Sequence, residues 1–407
     1  MADNEKDIVI VGYARTPFDK FGGVLRDIPS AQLAEWTIRE LMRRTGLTAE
    51  SIDDVNLGMT VLLEAGTQTD VIARQSLLRA GLRPETLSNT LDRACCSSTS
   101  ALQQSMKNIQ VGEAEVSIAL GVDNMSRVPL YMPPKARWEG SRLGNLVLID
   151  MLNELGIPGF GVLAVDAGEV AVDYGITREL QDEWAVCSHQ LYCAARDKGY
   201  VDEEIFALEI PQGKKKPALV FDKDASPRSD VSPEAMAKLP TIYGSPTVTP
   251  GNAPGLSTGA AGVVVTTRKK AGELGLEPLA TVLKVTSHAI EPRGIAVVPA
   301  PTIQKALRET GLTLDDMNAI EINEAFAAMP LVTIKLLADG DSGKIEKIRA
   351  ITNIDGGAIA IGHPVGASGL RITMHLMQIL RRRGGGYGVA AICGGLAQGD
   401  AVILKVD

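Results

Sequence analysis

The chain has 407 residues, room for two or three core-sized units, and its 45% hydrophobic and 22% charged residues exclude a disordered polymer. A net charge of −8 argues against a general nucleic-acid or anionic-membrane surface and leaves room only for a local basic site for a phosphorylated ligand. No apolar run approaches the ~18 residues of a membrane span, and the polar, acidic start is neither a secretory nor a transit segment, so a cytoplasmic protein is expected.

In chain order, Asp7 to Gly12 reads as a buried strand, followed by a loop through Arg15 and Pro17. Ala31 to Thr45 carries apolar residues at helical spacing and stops before Gly46. The stretch Arg43 to Leu57 then recurs as Arg308 to Ile322, each with a helix end, a turn, an acidic connector and a strand. Thr45 matches Thr310, and Asp53 matches Asp315. Such self-similarity implies two copies of one α/β unit. Downstream, Cys95 enters a helix running to Met106, followed by the strand Glu115 to Gly121. In the second copy His363 leads into a helix from Gly366 to Arg381, then the strand Val389 to Gly394. Cys95 and His363 thus fall at equivalent loop-to-helix junctions, which a pseudo-twofold would bring together.

Between the copies, residues 124–259 differ in character, with Pro133-Pro134, a basic run Lys214–Lys216 and several loop clusters. This reads as an insertion folding over a site made by the two copies. The basic run reads as a solvated loop. The expected units are 1–123 (with about 260–275 returning to this core), the insertion 124–259, and 276–407.

Five cysteines, an odd number without paired spacing, read as reduced thiols and not as disulfides or a metal site. Cys95 sits where a helix begins, and a helix N-terminus stabilises a thiolate. Cys96 competes for the same role. His363, among glycines, is placed to accept a thiol proton and return it. Cys393, at a strand end before Gly394 and Gly395, offers a second thiol for proton transfer at carbon, with glycine N–H groups nearby for an oxyanion. Asn323 closes a strand and reads either as a helix cap or as an amide holding water or substrate. His375 falls inside a core helix and reads as packed or hydrogen-bonded.

At these residues the sequence resembles the thiolase family nearly end to end. The likeness runs through Arg15 to Arg26, the Cys95 segment, Asp123 to Ser126, Thr247 to Asn252, Asn323 to Ala327, Gly362 to Gly369 and Cys393 to Gly395. It implies the thiolase fold: two duplicated α/β halves in five α/β/α/β/α layers with an inserted loop domain. It also implies that Cys95 is acylated by a β-ketoacyl-CoA, with His363 activating the thiol and Cys393 shuttling the α-proton. The backbone N–H groups of Cys95 and Gly395 would form one oxyanion hole, and His363 with a water on Asn323 the other. By the same likeness Arg228, Asn252, Pro254, Phe326, Val162 and Leu163 are the expected CoA or substrate contacts, with CoA a co-substrate and no tightly bound cofactor or metal.

The sequence departs from the family at Cys96-Ser97-Ser98, at Val162 to Glu169, where relatives carry a His-Met-Gly motif, and at Pro254, which replaces a serine. These changes imply an unusual substrate. One candidate is benzoylsuccinyl-CoA, cleaved to benzoyl-CoA and succinyl-CoA with a small zinc-ribbon/OB-fold partner protein. A homodimer is expected. The alternatives are a non-catalytic thiolase-fold CoA-binding subunit and a ketosynthase-like condensing enzyme.

Overall fold

The computed structural model describes residues 4–62, 64, 71–140, 143–153, 157, 159–213 and 216–407. Lys214 and Lys215 of the basic run lie outside the described residues. The main strands are β1 (Ile8–Arg15), β2 (Asp54–Gly58), β3 (Leu87–Leu91), β4 (Val116–Asn124), β5 (Ser257–Thr267), β6 (Ala280–Ala289), β7 (Met317–Ile322), β8 (Gly386–Gly394) and β9 (Gln398–Val406). The helices that shape the site are α1 (Ser30–Thr45), α2 (Ser97–Val111), α3 (Leu163–Asp173), α4 (Arg178–Asp197), α5 (Pro299–Thr310) and α6 (Ser368–Arg382).

The strands run β7-β8-β9-β6-β1-β5-β4-β2-β3, with the short Asp19–Lys20 pairing on β5. In the first half β1 is antiparallel to β5 and β5 to β4, and then β4, β2 and β3 are parallel. The second half repeats this pattern. There β6 is antiparallel to β9 and β9 to β8, β8 is parallel to β7, and Thr352 bridges Ile320 in parallel where the counterpart of β3 falls. Among the described residues, the sheet passes from one half to the other where Val9 pairs with Thr281 and Ile10 with Ala280. The duplication read from Arg43–Leu57 and Arg308–Ile322 is therefore a repeat of topology.

Three apolar clusters fill the spaces between five layers, the central one packing on both sides of the middle helices. Leu33, Ile38 and Leu41 of α1 cover the outer face of the first half, and Ile303 and Leu307 of α5 cover that of the second. Helices α2 and α6 fill the middle, where Leu102, Leu370 and Met374 meet Ile10 and Val402. Every residue of α6 from Ser368 to Leu380 is buried, so its polar side chains need partners inside the protein. His375 places Nδ1 2.5 Å from Glu204 and Nε2 3.4 Å from Asp355. Burial opposes its charge, but Glu204 and Asp355 outweigh burial and lift its pKa to about 10. The hydrogen-bonded core role expected of His375 is what the fold uses.

Residues 125–256 leave the sheet. They form α3, α4 and two small antiparallel pairs, Leu130–Tyr131 with Ile149–Asp150 and Leu208–Ile210 with Leu219–Phe221. No helix among the described residues is long and apolar enough to cross a membrane.

Candidate active site

The loop after β3 delivers Cys95. Asp92 accepts the Ala94 N–H at 2.9 Å, and Ala94 itself is left-handed (φ 50°), a strained conformation for a residue with a Cβ. The 3-10 turn Ala94–Cys96 then runs into α2. Ser97 braces the turn, its hydroxyl donating to the Ala94 carbonyl at 2.6 Å and accepting the Arg93 N–H at 2.9 Å. Ser98 accepts the Leu370 N–H at 3.1 Å and so ties α2 to α6. The polar residues after Cys95 thus serve the scaffold. Cys96 points inward, fully buried, its sulfur 3.6 Å from the Ile392 carbonyl, and burial with nearby Asp400 raises its pKa.

His363 meets Cys95 from the second half. Its Nε2 lies 3.1 Å from the Cys95 sulfur and its Nδ1 2.6 Å from the Ser368 hydroxyl. Ser368 donates its own proton to the Pro364 carbonyl at 2.9 Å, so it is left to accept from Nδ1. That assigns the tautomer with Nδ1–H and an Nε2 lone pair facing the thiol. The His363 backbone N–H donates to Ser257 at 3.1 Å. A Cβ on Gly362 (φ 97°) would stand 2.1 Å from that same hydroxyl, so glycine is required there.

Cys393, one residue before the end of β8, is fully buried and faces the same cleft as Cys95. The hydrogen bond from Cys393 lowers the pKa of Cys95 well below that of an ordinary thiol. Burial opposes this shift, and His363 adds to it. The same contact, with burial, raises Cys393. Two thiols pushed apart in this way are suited to different proton-transfer roles. Asp123 locks the two halves around them, its carboxylate accepting N–H groups from Thr60 (3.1 Å), Val61 (3.0 Å) and Gly366 (2.6 Å). Burial outweighs these bonds and raises Asp123 to about 6. Sequence reasoning missed Ser368, Ser257 and Asp123 as site-shaping residues. Ser368 left a signal within the glycine-rich motif that carries His363, and Asp123 one at the head of the Asp123 to Ser126 segment.

The three groups open into a cleft of about 320 Å³. Leu163, Pro254, Phe326 and Gly395 line it beside Cys95, His363 and Cys393. The backbone N–H groups of Cys95 and Gly395 sit in the first turns of 3-10 helices, where no intrahelical acceptor reaches them. Leu396 and Ala397, after Gly395, are left-handed (φ 55° and 54°).

Other expected contacts do not reach the cleft wall. Val162 sits one residue before Leu163 and is not part of the lining. Asn252 is fully buried and committed to its own loop and to α4, donating to Asp182 of α4 at 2.9 Å and the Thr247 carbonyl at 3.1 Å while accepting the Thr249 N–H. Arg228 is exposed on the insertion, its backbone N–H on His189. Asn323 is fully buried behind the cleft, and neither polar atom of its amide has a hydrogen-bond partner among the described residues.

Two family models match nearly the whole chain: thiolase, N-terminal domain, over residues 8–269, and thiolase, C-terminal domain, over 276–406. The acetyl-CoA acetyltransferase of Syntrophomonas wolfei is 38% identical, covering 98% of this chain and 99% of its own. Human mitochondrial 3-ketoacyl-CoA thiolase is 34% identical over 98% of both chains, and its crystal structure superposes with a TM-score of 0.90 over 99% of both. The Bacillus anthracis acetyl-CoA acetyltransferase structure is similar at a TM-score of 0.92 and 34% identity, covering 100% of both chains. With two halves of one topology meeting at a thiol, an imidazole and a second thiol, and with these matches end to end, the chain belongs to the thiolase family of acyltransferases.

Proposed function

We propose that the protein cleaves a β-ketoacyl-CoA with free CoA through an acyl-enzyme on Cys95, the reverse condensation following the same path. The observation that carries this reading is the 3.1 Å approach of His363 Nε2 to the Cys95 sulfur, with the buried Cys393 thiol lining the same cleft. His363 takes the Cys95 proton, and the thiolate adds to the keto carbonyl. The negative oxygen falls to preorganised N–H donors such as those of Cys95 and Gly395. The bond between the α and β carbons breaks, its electron pair passes to the α-carbon, and Cys393 supplies the proton that frees the shortened acyl-CoA. In the second half, CoA gives its thiol proton to Cys393 and attacks the Cys95 thioester. Cys95 leaves as thiolate and recovers its proton from His363. The covalent intermediate replaces one difficult displacement with two easier steps. The unpartnered amide of Asn323 is consistent with a water held at the second oxyanion position.

The apolar cleft wall supports an acyl group bulkier than acetyl, and an aromatic one such as the benzoyl end of benzoylsuccinyl-CoA suits it. Five free cysteines support a reducing, cytoplasmic setting. Strand β3 ends the sheet path and leaves Leu87 67% exposed, which supports a homodimer through this edge. Exposed Trp138 and Leu146 on the insertion support a further protein contact, for which a small zinc-ribbon/OB-fold protein is the candidate. The test is CoA-dependent cleavage of a β-ketoacyl-CoA panel, assayed with and without such a partner. Cys95→Ala should abolish turnover and Cys96→Ala should retain it. Turnover that survives Cys95→Ala would contradict the reading.

A further inference from the structure

Glu324 follows Asn323 directly and is fully buried. Four neutral donors hold its carboxylate. Oε1 accepts from the Trp184 indole at 2.8 Å and from Asn353 Nδ2 at 3.0 Å, and Oε2 from the Ser188 hydroxyl at 2.7 Å and the Ile359 N–H at 3.0 Å. A buried carboxylate so surrounded is satisfied, but its desolvation makes it a poor device for stability alone.

What sets these donors apart is where they come from. Trp184 and Ser188 belong to α4 of the insertion. Asn353 clamps the strand end just before Asn323, donating to the Ile322 carbonyl and accepting the Ile322 N–H, both at 2.8 Å. Ile359 belongs to the short helix Ala358–Ile361, which ends at Gly362 and hands the chain to His363. Ser188 also accepts the Gly357 N–H at 3.0 Å, directly before that helix. A Cβ on Gly357 would stand 2.5 Å from the Glu324 carboxyl carbon, so glycine there lets the segment close onto the carboxylate.

We infer that Glu324 is a positioning residue for the reaction, joining insertion helix α4 to the strand end that carries Asn323 and to the segment that delivers His363. This rests on the thiolase reading and deepens it. His363 works at 3.1 Å from the Cys95 sulfur, and a displacement of about 1 Å at such a contact costs about 100-fold in rate. In Glu324→Gln the side chain keeps its size, but an amide has one acceptor oxygen. Whichever way it turns, a donor that met oxygen now faces N–H.

The test measures kcat and KM of the full-length protein on acetoacetyl-CoA and benzoylsuccinyl-CoA, and the pH profile of Cys95 alkylation by iodoacetamide. Glu324→Gln should lower kcat about 100-fold with KM within about twofold. Its alkylation profile should move to higher pH, because a displaced imidazole supports the thiolate less. Ser188→Ala removes one donor and the Gly357 brace; it should lower kcat about tenfold and move the profile the same way. It decides the matter if Glu324→Gln does not fold. A residue that only stabilised the fold would lower the unfolding midpoint and leave kcat per folded chain and the profile unmoved. Parental kcat and profile in the folded variants would therefore overturn the inference alone. No turnover of either substrate by the parent would overturn the thiolase reading and this inference with it.

Discussion

Ser368 decides which nitrogen of His363 faces the thiol. Because its hydroxyl already donates to the Pro364 carbonyl, it holds the proton on Nδ1 and leaves Nε2 as the base. Ser368→Ala should therefore lower kcat about tenfold with little change in KM, and should shift the alkylation profile of Cys95 to higher pH. Ser368→Thr keeps the hydroxyl and should restore most of both. An unmoved pH profile in Ser368→Ala would reduce the residue to packing. The opposed shifts of the two thiols give a second expectation. The lowered Cys95 should react with iodoacetamide well below the ordinary thiol range near pH ~8.5, while the raised Cys393 stays protonated and inert. Peptide mapping after alkylation at pH 7 checks this, and preferential labelling of Cys393 would contradict it. At this scale the reacting groups were legible because a thiol or imidazole at a loop end is rare. Their supports were not, since a serine or aspartate reads as a turn or cap until a partner distant in sequence is known. Asn252 shows the converse, a residue within a family motif whose side chain is spent on its own loop and on α4.

The elements that matter most are the paired junctions leading into α2 and α6, bridged by Asp123 at the end of β4. Its carboxylate holds the loop after β2 and the turn before α6 in one grip. Asp123→Ala leaves three buried N–H groups unpaired and should cost roughly 2–3 kcal/mol in denaturant unfolding. It should also lower kcat, because the turn carrying His363 is released. Asp123→Asn keeps one acceptor oxygen and should lie between. Unchanged stability in Asp123→Ala would rule out the bridge. The strand expected at Val389–Gly394 begins earlier, at Gly386, because Gly386 and Gly388 carry no strand propensity of their own and are fixed by pairing with β9. The helix expected from Gly366 opens instead as a 3-10 turn over Val365–Ala367, with α6 proper starting at Ser368.

For the molecule as a whole, duplication places chemistry where two halves meet, and a buried ionic network helps hold the insertion to them. Arg15 at the end of β1 pairs with Glu204 at 3.0 Å and Asp224 at 2.8 Å, all of them buried. Arg15→Ala removes the cation shared by two buried carboxylates and should cost about 3–5 kcal/mol. Burial alone would raise Glu204, but His375 and Arg15 outweigh it and hold its pKa at about 2. Its stabilising contribution is therefore full above the unfolded carboxylate value of ~4.3 and is lost as pH falls toward 2. Acid unfolding of Arg15→Ala should accordingly begin at higher pH than in the parent. The repeat was legible because both copies keep a turn and an acidic pair. The insertion's route over the site was not, because loops and short strands carry no periodicity that fixes their place.

The central claim is that Cys95 is the nucleophile of this duplicated site. The most direct test mixes the protein with a neutral β-ketoacyl-CoA, omits free CoA, quenches with acid within the first turnover and maps the adduct by mass spectrometry. The account predicts one acyl group per chain on Cys95, removed by added CoA and absent in Cys95→Ala. An adduct on Cys96 or Cys393 that CoA removes, or turnover without any acyl-enzyme, would contradict it.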